Sequence, residues 1–197
     1  MSEETKQVEK STPRLQSCIE QEIWPKVKEK FGITNPMALP RLQKIIVNVG
    51  VGKFLDNNKI KPEVRDTVLG TLTTISGQKP ILITAKKSVS NFKVREGAIS
   101  AAKVTMRRDR MWNFLERLIH LAIPRVKDFR GLPTKSFDRS GSYSFGFTEQ
   151  AVWPEIDMSK INTNHGMHIN LVFANSTPEI TRFVLTELGF PFKREDG

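Results

Sequence analysis

The sequence predicts one α+β domain, and three observations carry that prediction. The 197 residues are 38% hydrophobic, close to what a globular chain needs to bury a sizeable core. Strand-like and helix-like runs follow one another irregularly rather than in alternating βαβ units, which argues against a doubly wound parallel sheet. No internal repeat and no low-complexity linker divides the chain. Residues 14–197 are therefore expected to form a single domain. Residues 1–13 lack apolar periodicity, end at Pro13 and are expected to be a disordered tail.

The elements follow in order. From Arg14, the residues Leu15, Cys18, Ile19, Ile23, Val27 and Phe31 recur at helical spacing, and Gly32 is placed to stop the run. Pro25 lies inside it and is expected to kink the helix or divide it, because proline lacks an amide donor and crowds the preceding turn. Arg41 to Gly50 is rich in β-branched residues and bounded by Pro40 and Gly50, which reads as a strand. Pro62 opens a second helix through Ile75, closed by Ser76-Gly77. Residues 80–107 read as a strand at Ile81–Thr84 and a long basic hairpin. Its arms are Ser88–Arg95 and Lys103–Arg107, with the tip near Gly97. Asp109 is the expected N-cap of a third helix, whose stripe of Met111, Trp112, Leu115, Leu118, Ile119 and Ala122 ends at Pro124. A Gly/Ser/Asp-rich connection spans 128–142. Tyr143–Thr148 and His168–Ala174 read as further strands, and Thr177-Pro178-Glu179 starts a last helix that Gly189 stops.

Charge narrows the function. Thirty-one Lys and Arg against 21 acids leave a net +10, an excess that points to a polyanionic partner, either nucleic acid or an anionic membrane surface. The excess is a patch. Residues 79–110 hold nine cations and two acids, whereas 1–34 and 111–197 are each neutral. No long basic amphipathic helix supports the membrane alternative. The opening Met-Ser-Glu-Glu-Thr-Lys-Gln carries no apolar h-region, so no signal peptide is expected. No apolar stretch approaches the roughly 18 residues of a membrane span. A single cysteine excludes an intramolecular disulfide and any multi-thiolate zinc site.

Candidate chemical sites are few. Gly50-Val-Gly-Lys53 suggests a phosphate loop, but the Walker pattern places Gly where Val47 stands and Ser or Thr where Phe54 stands. A dinucleotide fingerprint would need a third Gly at Leu55. A glycine turn after a strand is the better reading, and a nucleotide-binding enzyme built on Gly50–Lys53 is the alternative it displaces. His165 and His168 lack further zinc ligands nearby. His120 sits between apolar neighbours and is expected to be buried or half-buried. Cys18 and the pair Trp112 and Phe114 read as packing residues. No Gly-x-Ser-x-Gly elbow accompanies the Ser and Asp of 136–144. Catalytic residues, metal ligands and cofactors are therefore all expected to be absent.

The 78–107 segment combines independent signals for RNA. Gln78-Lys79-Pro80, Lys86-Lys87-Ser88 and Ser90-Asn-Phe-Lys-Val-Arg95 mix cations, short hydrogen-bonding side chains and one aromatic ring. Cations neutralise phosphates, Ser, Thr, Asn and Gln reach sugar 2′-hydroxyls and base edges, and Phe92 can stack on an unpaired base. On a strand, Ser88, Ser90 and Phe92 would share one face, with Lys87, Val89, Asn91 and Lys93 on the other. The bland alternative is a hairpin whose Phe92 belongs to the core. RNA is favoured over DNA because no helix carries a base-reading basic face.

Many blocks then match one family. Ser76-Gly-Gln-Lys-Pro80, Ala85-Lys-Lys-Ser88, Asn91-Phe-Lys-Val-Arg95, Lys103-Val-Thr105, Asp109-Arg-Met-Trp112, Ile123-Pro-Arg125 and Asp128-Phe-Arg-Gly-Leu132 closely resemble the bacterial large-subunit ribosomal protein five family. So do Ser136-Phe-Asp138, Phe147-Thr-Glu-Gln150, Pro154-Glu-Ile156 and Gly189-Phe-Pro-Phe-Lys193. The resemblance runs in register from about residue 14 to 194. It implies an antiparallel-rich sheet with helices packed on one face, in a non-enzymatic protein of the cytoplasmic ribosome. It also implies binding of 5S rRNA in the central protuberance, beside large-subunit rRNA and neighbouring 5S-binding ribosomal proteins. The positions matching the family's 5S contacts are Asn48, Gln78, Phe92 and Thr105, with Arg95 and Arg107 as phosphate partners. Together with Lys86, Lys87, Ser88, Asn91 and Lys93 they form the expected RNA site. The loop near 93–102 is implied to approach P-site tRNA, and the 135–142 loop to bridge to a protein of the small-subunit head. Two runs depart from the family pattern: Ala98-Ile-Ser-Ala101 after the tip glycine, and Arg139-Ser-Gly-Ser142 before the tyrosine.

Overall fold

The structure, a computed structural model, describes residues 12–56, 59–92, 94–161 and 163–193. Except for Thr12 and Pro13, the tail expected at 1–13 lies outside the described residues. Proline sets the path of the first helical segment. Here α1 (Arg14–Cys18) and α2 (Trp24–Phe31) are joined by a π-helical turn, Ile19–Ile23. Pro25 offers no amide, and its ring crowds the carbonyl of the preceding turn. The wider π turn just ahead of it absorbs that misfit, so the helical path continues from Arg14 to Phe31 instead of dividing. Gly32, at φ +66°, then closes it with its amide on the Lys28 carbonyl.

The remaining elements are β1 (Arg41–Gly50), the short ribbon β2 (Leu55–Asp56) and β3 (Lys59–Ile60), and α3 (Pro62–Ser76). They continue through β4 (Ile81–Thr84), β5 (Ile99–Met106) and α4 (Arg108–Arg117). Last come β6 (Tyr143–Phe147), β7 (Met167–Ala174) and α5 (Pro178–Glu187). A second π turn, Leu118–Ala122, follows α4 and precedes Pro124, repeating the arrangement at Pro25. No helix among the described residues is long and apolar enough to cross a membrane.

Five strands form one sheet in the order β4-β5-β1-β7-β6, with every neighbouring pair antiparallel. Alternation divides its two faces. Val47 of β1 stands between Val104 of β5 and Ile169 of β7, and Ile169 faces Phe145 of β6, all four buried. Leu42 and Ile45 are an odd number of residues apart yet both buried, because a bulge between Leu42 and Lys44 restores the register. The helices bury this face in one continuous core running from Leu15 to Phe190. The other face is open. The α+β class, the antiparallel sheet and the helix-covered face agree with the sequence expectation.

Four local expectations are corrected. Ser88–Arg95 is not a strand arm: Val89 and Val94 form an isolated bridge around a 3₁₀ turn at Ser90–Phe92. The excursion therefore turns at Ser90–Phe92, and Gly97 sits at its base with its amide on the Ala85 carbonyl. Ile99–Ala101 belongs to β5 and pairs with Ile83, Thr84 and Gly50, so the altered 98–101 run is at the base and in the ladder rather than at a tip. Asp109 lies in the first turn of α4, whose N-cap is Arg107 with no side-chain cap. His120 is exposed, because the π turn rotates the helix face as it passes. Trp112 and Phe114 are buried as expected.

Candidate nucleic-acid interface

The open face of the sheet is built by cross-strand rows. In one row Ile81, Lys103, Asn48, His168 and Gly146 stand opposite one another in turn across all five strands. In the next, Thr105, Ile46, Asn170 and Ser144 do the same across four. Neither row contains a carboxylate. Asn48 is thus flanked by an ammonium on one side and an imidazole on the other.

Gln78 reaches this surface from the connection after α3. Gly77 ends that helix at φ +66°, and the turn brings the Gln78 side-chain amide to the Thr105 carbonyl at 2.6 Å. Arg110 donates to the other side of the Gln78 amide at 3.3 Å. Arg107 follows β5 and is exposed. Asn48, Gln78, Thr105 and Arg107 therefore gather at the centre and one end of the sheet.

The other expected residues sit at the opposite end. Ala85 and Ala98 close a loop from which Lys86, Lys87, Ser88, Asn91 and Arg95 are exposed. Ser88 is partly committed, because its hydroxyl accepts the Glu96 amide at 2.9 Å and braces the loop. Phe92 is 77% exposed, which removes it from the core and leaves its ring available. The 3₁₀ turn replaces the two-sided alternation expected there. Lys93 lies outside the described residues. From Ile99 at the loop's base to Arg107 the surface extends about 25 Å at the rise of a β-strand.

Lys103, His168, Asn170 and Ser144 were not among the expected site residues. The alternation His168-Ile-Asn-Leu171 hints that His168 and Asn170 share a face, but only the strand order puts that face beside Asn48. His165 has a different environment from His168. It is buried, its amide donates to Gln150 Oε1, and burial pushes its imidazole below the ordinary value. Gly50–Lys53 forms no phosphate cradle. The Val51 and Phe54 amides are taken by the Ser100 and Val51 carbonyls, and Gly52–Phe54 is a 3₁₀ turn.

Two family models match the chain, one described as ribosomal protein L5 over residues 35–95 and one as the C-terminus of that same ribosomal family over 99–192. The chain is 46% identical over 193 residues to the large ribosomal subunit protein uL5 of Kocuria rhizophila, covering 98% of this chain and 99% of that one. It is 48% identical over 186 residues to uL5 of Corynebacterium glutamicum, covering 94% and 95%. It is 44% identical over 182 residues to uL5 of Carboxydothermus hydrogenoformans, covering 92% and 99%.

Proposed function

The chain belongs to the bacterial large-subunit ribosomal protein L5 family, a structural and non-enzymatic constituent of the ribosome, and from that premise we propose that its open sheet face binds 5S rRNA. The observation that carries the proposal is the carboxylate-free row around Asn48, continued at one end by Gln78, Thr105 and Arg107. At the other end stands a basic loop that exposes Phe92. Lys86, Lys87, Lys93, Arg95 and Arg107 supply phosphate contacts. Asn48, Thr105, Ser88 and Asn91 supply hydrogen bonds to sugars and base edges, and Phe92 a stacking surface. Residues 14–197 act as one RNA-binding domain, a reading supported by the continuous core.

The same family assignment supports finer contacts at the central protuberance. The loop near 93–102 approaches P-site tRNA. The 135–142 connection, held in a turn by the Gly141 amide on the Asp138 carbonyl, meets a protein of the small-subunit head. Neighbouring 5S-binding ribosomal proteins complete the set of partners, in the cytoplasm. No cofactor takes part.

A salt titration of binding to 5S rRNA, with an unstructured RNA of equal length as control, tests the proposal. The expected result is much tighter binding to 5S rRNA and a slope of log K on log salt of about −3 to −5, for roughly four to six phosphates. Equal affinity for the two RNAs would reduce the surface to a generic basic patch.

A further inference from the structure

The glycine turn that fails as a nucleotide loop borders a groove of about 640 Å³ at the loop end of the sheet. Gly50, Gly52, Lys53, Phe92, Asn164, Gly166 and His168 are among the residues that line it. Among the described residues no carboxylate lines it. Its volume falls within the roughly 300–1,000 Å³ of sites that accept a small organic group.

The glycines differ in what the fold asks of them. A Cβ on Gly166 would stand 2.6 Å from the Phe147 carbonyl oxygen, so the chain's own packing requires glycine there. Gly50 and Gly52 have ordinary backbone angles, and a Cβ on either would meet nothing within 4 Å among the described residues. Neither a left-handed conformation nor internal crowding explains them. Glycine in that situation permits a partner to approach the backbone closely. Gly70 on α3 is equally unconstrained and does not line this groove, which makes it a control for binding.

We propose that this groove is where a bound RNA strand passes closest to the protein main chain. Gly50 and Gly52 leave room for one sugar-phosphate segment, Lys53 meets its phosphate, and Phe92 takes the adjacent base. Asn164 and His168, both exposed, reach the sugar or base edge. The absence of carboxylates together with a lysine selects an anionic strand, and His168 belongs to the same row as Asn48, so the groove continues the open face. This inference rests on 5S rRNA binding by that face and names a place where the RNA is held.

The test uses the full chain, 5S rRNA and the unstructured control RNA. Gly50→Ala, Gly52→Ala and their double variant are compared with Gly70→Ala by thermal melting and by electrophoretic shift. The expected result is melting at or above wild type for all of them, and a loss of 5S affinity of at least tenfold for the double variant only. Asn164→Ala combined with His168→Ala is expected to weaken 5S binding severalfold with unchanged melting. If wild type prefers 5S rRNA and the glycine variants bind it equally well, the groove is overturned and the open-face interface survives. If wild type shows no preference, both are overturned. Glycine variants that melt well below wild type would also overturn the groove, because the space beside them would then be needed by the fold.

Discussion

The Gln78 side-chain amide donates a 2.6 Å hydrogen bond to the main-chain carbonyl of Thr105, 27 residues along the chain. Two residues that resemblance treats as parallel RNA contacts are therefore one structural unit. The bond ties the connection after α3 to the end of β5, and Arg110 holds the same amide from the other side. Removing it loosens the edge on which Arg107 and the Thr105 side chain are presented.

Gln78→Ala is expected to cost about 1 kcal/mol of stability, as a half-buried hydrogen bond is lost. Gln78→Glu should cost more, since a carboxylate cannot donate to the Thr105 carbonyl. Urea denaturation of the two variants checks the order.

Phe92→Ala separates folding from binding. Because the ring is largely exposed, its removal should leave the melting temperature unchanged. If the ring stacks on an unpaired base, the variant should lose roughly 1–3 kcal/mol of 5S rRNA affinity. A folded variant with wild-type affinity would remove that role.

His165 makes stability depend on pH. It is 4% exposed, and its Nε2 is buried with no partner among the described residues. Burial lowers its pKa below 6.5, and the Gly166 carbonyl opposes the shift only in part. Between the folded value and 6.5 the unfolded chain binds more protons, so stability rises with pH there. The contribution is fully present above 6.5 and is lost as pH falls through the folded value. Urea midpoints at pH 7.5 and 5 should show a larger acid loss in wild type than in His165→Asn.

Gly131 is needed by the C-terminal segment. Its φ is +100°, and a Cβ would stand 2.6 Å from Lys193 Cα and N. Leu132 exchanges backbone hydrogen bonds with Pro191 and Lys193 at the same place. Gly131→Ala should cost about 1–3 kcal/mol or more from the backbone angle alone, with earlier proteolytic release of the segment. Denaturation and limited proteolysis together check this.

Local features of the sequence determined where the elements lie. Prolines at 62 and 178 and glycines at 32, 77 and 189 bound the helices because each restricts or frees φ at a single position. The alternation in β1 and β7 marked which residues share a face, and the run of cations at 79–110 pointed to a polyanion. These are properties of neighbours in the chain, readable at separations of two to four residues.

What stands beside what was settled only in three dimensions. Asn48 lies between Lys103 and His168 because β1 pairs with both β5 and β7, and that order depends on how the whole apolar face is buried against the helices. Phe92 is exposed because the Val89–Val94 bridge closes a 3₁₀ turn, which breaks the two-residue period that would have assigned it a side. Pro25 likewise left the helical path open between a kink and a division, until a π turn ahead of it took up the lost hydrogen bond. Strand pairing and turn choice at these places answer to contacts up to 120 residues away, such as Asn48 with His168. Local propensity carries no term for such contacts.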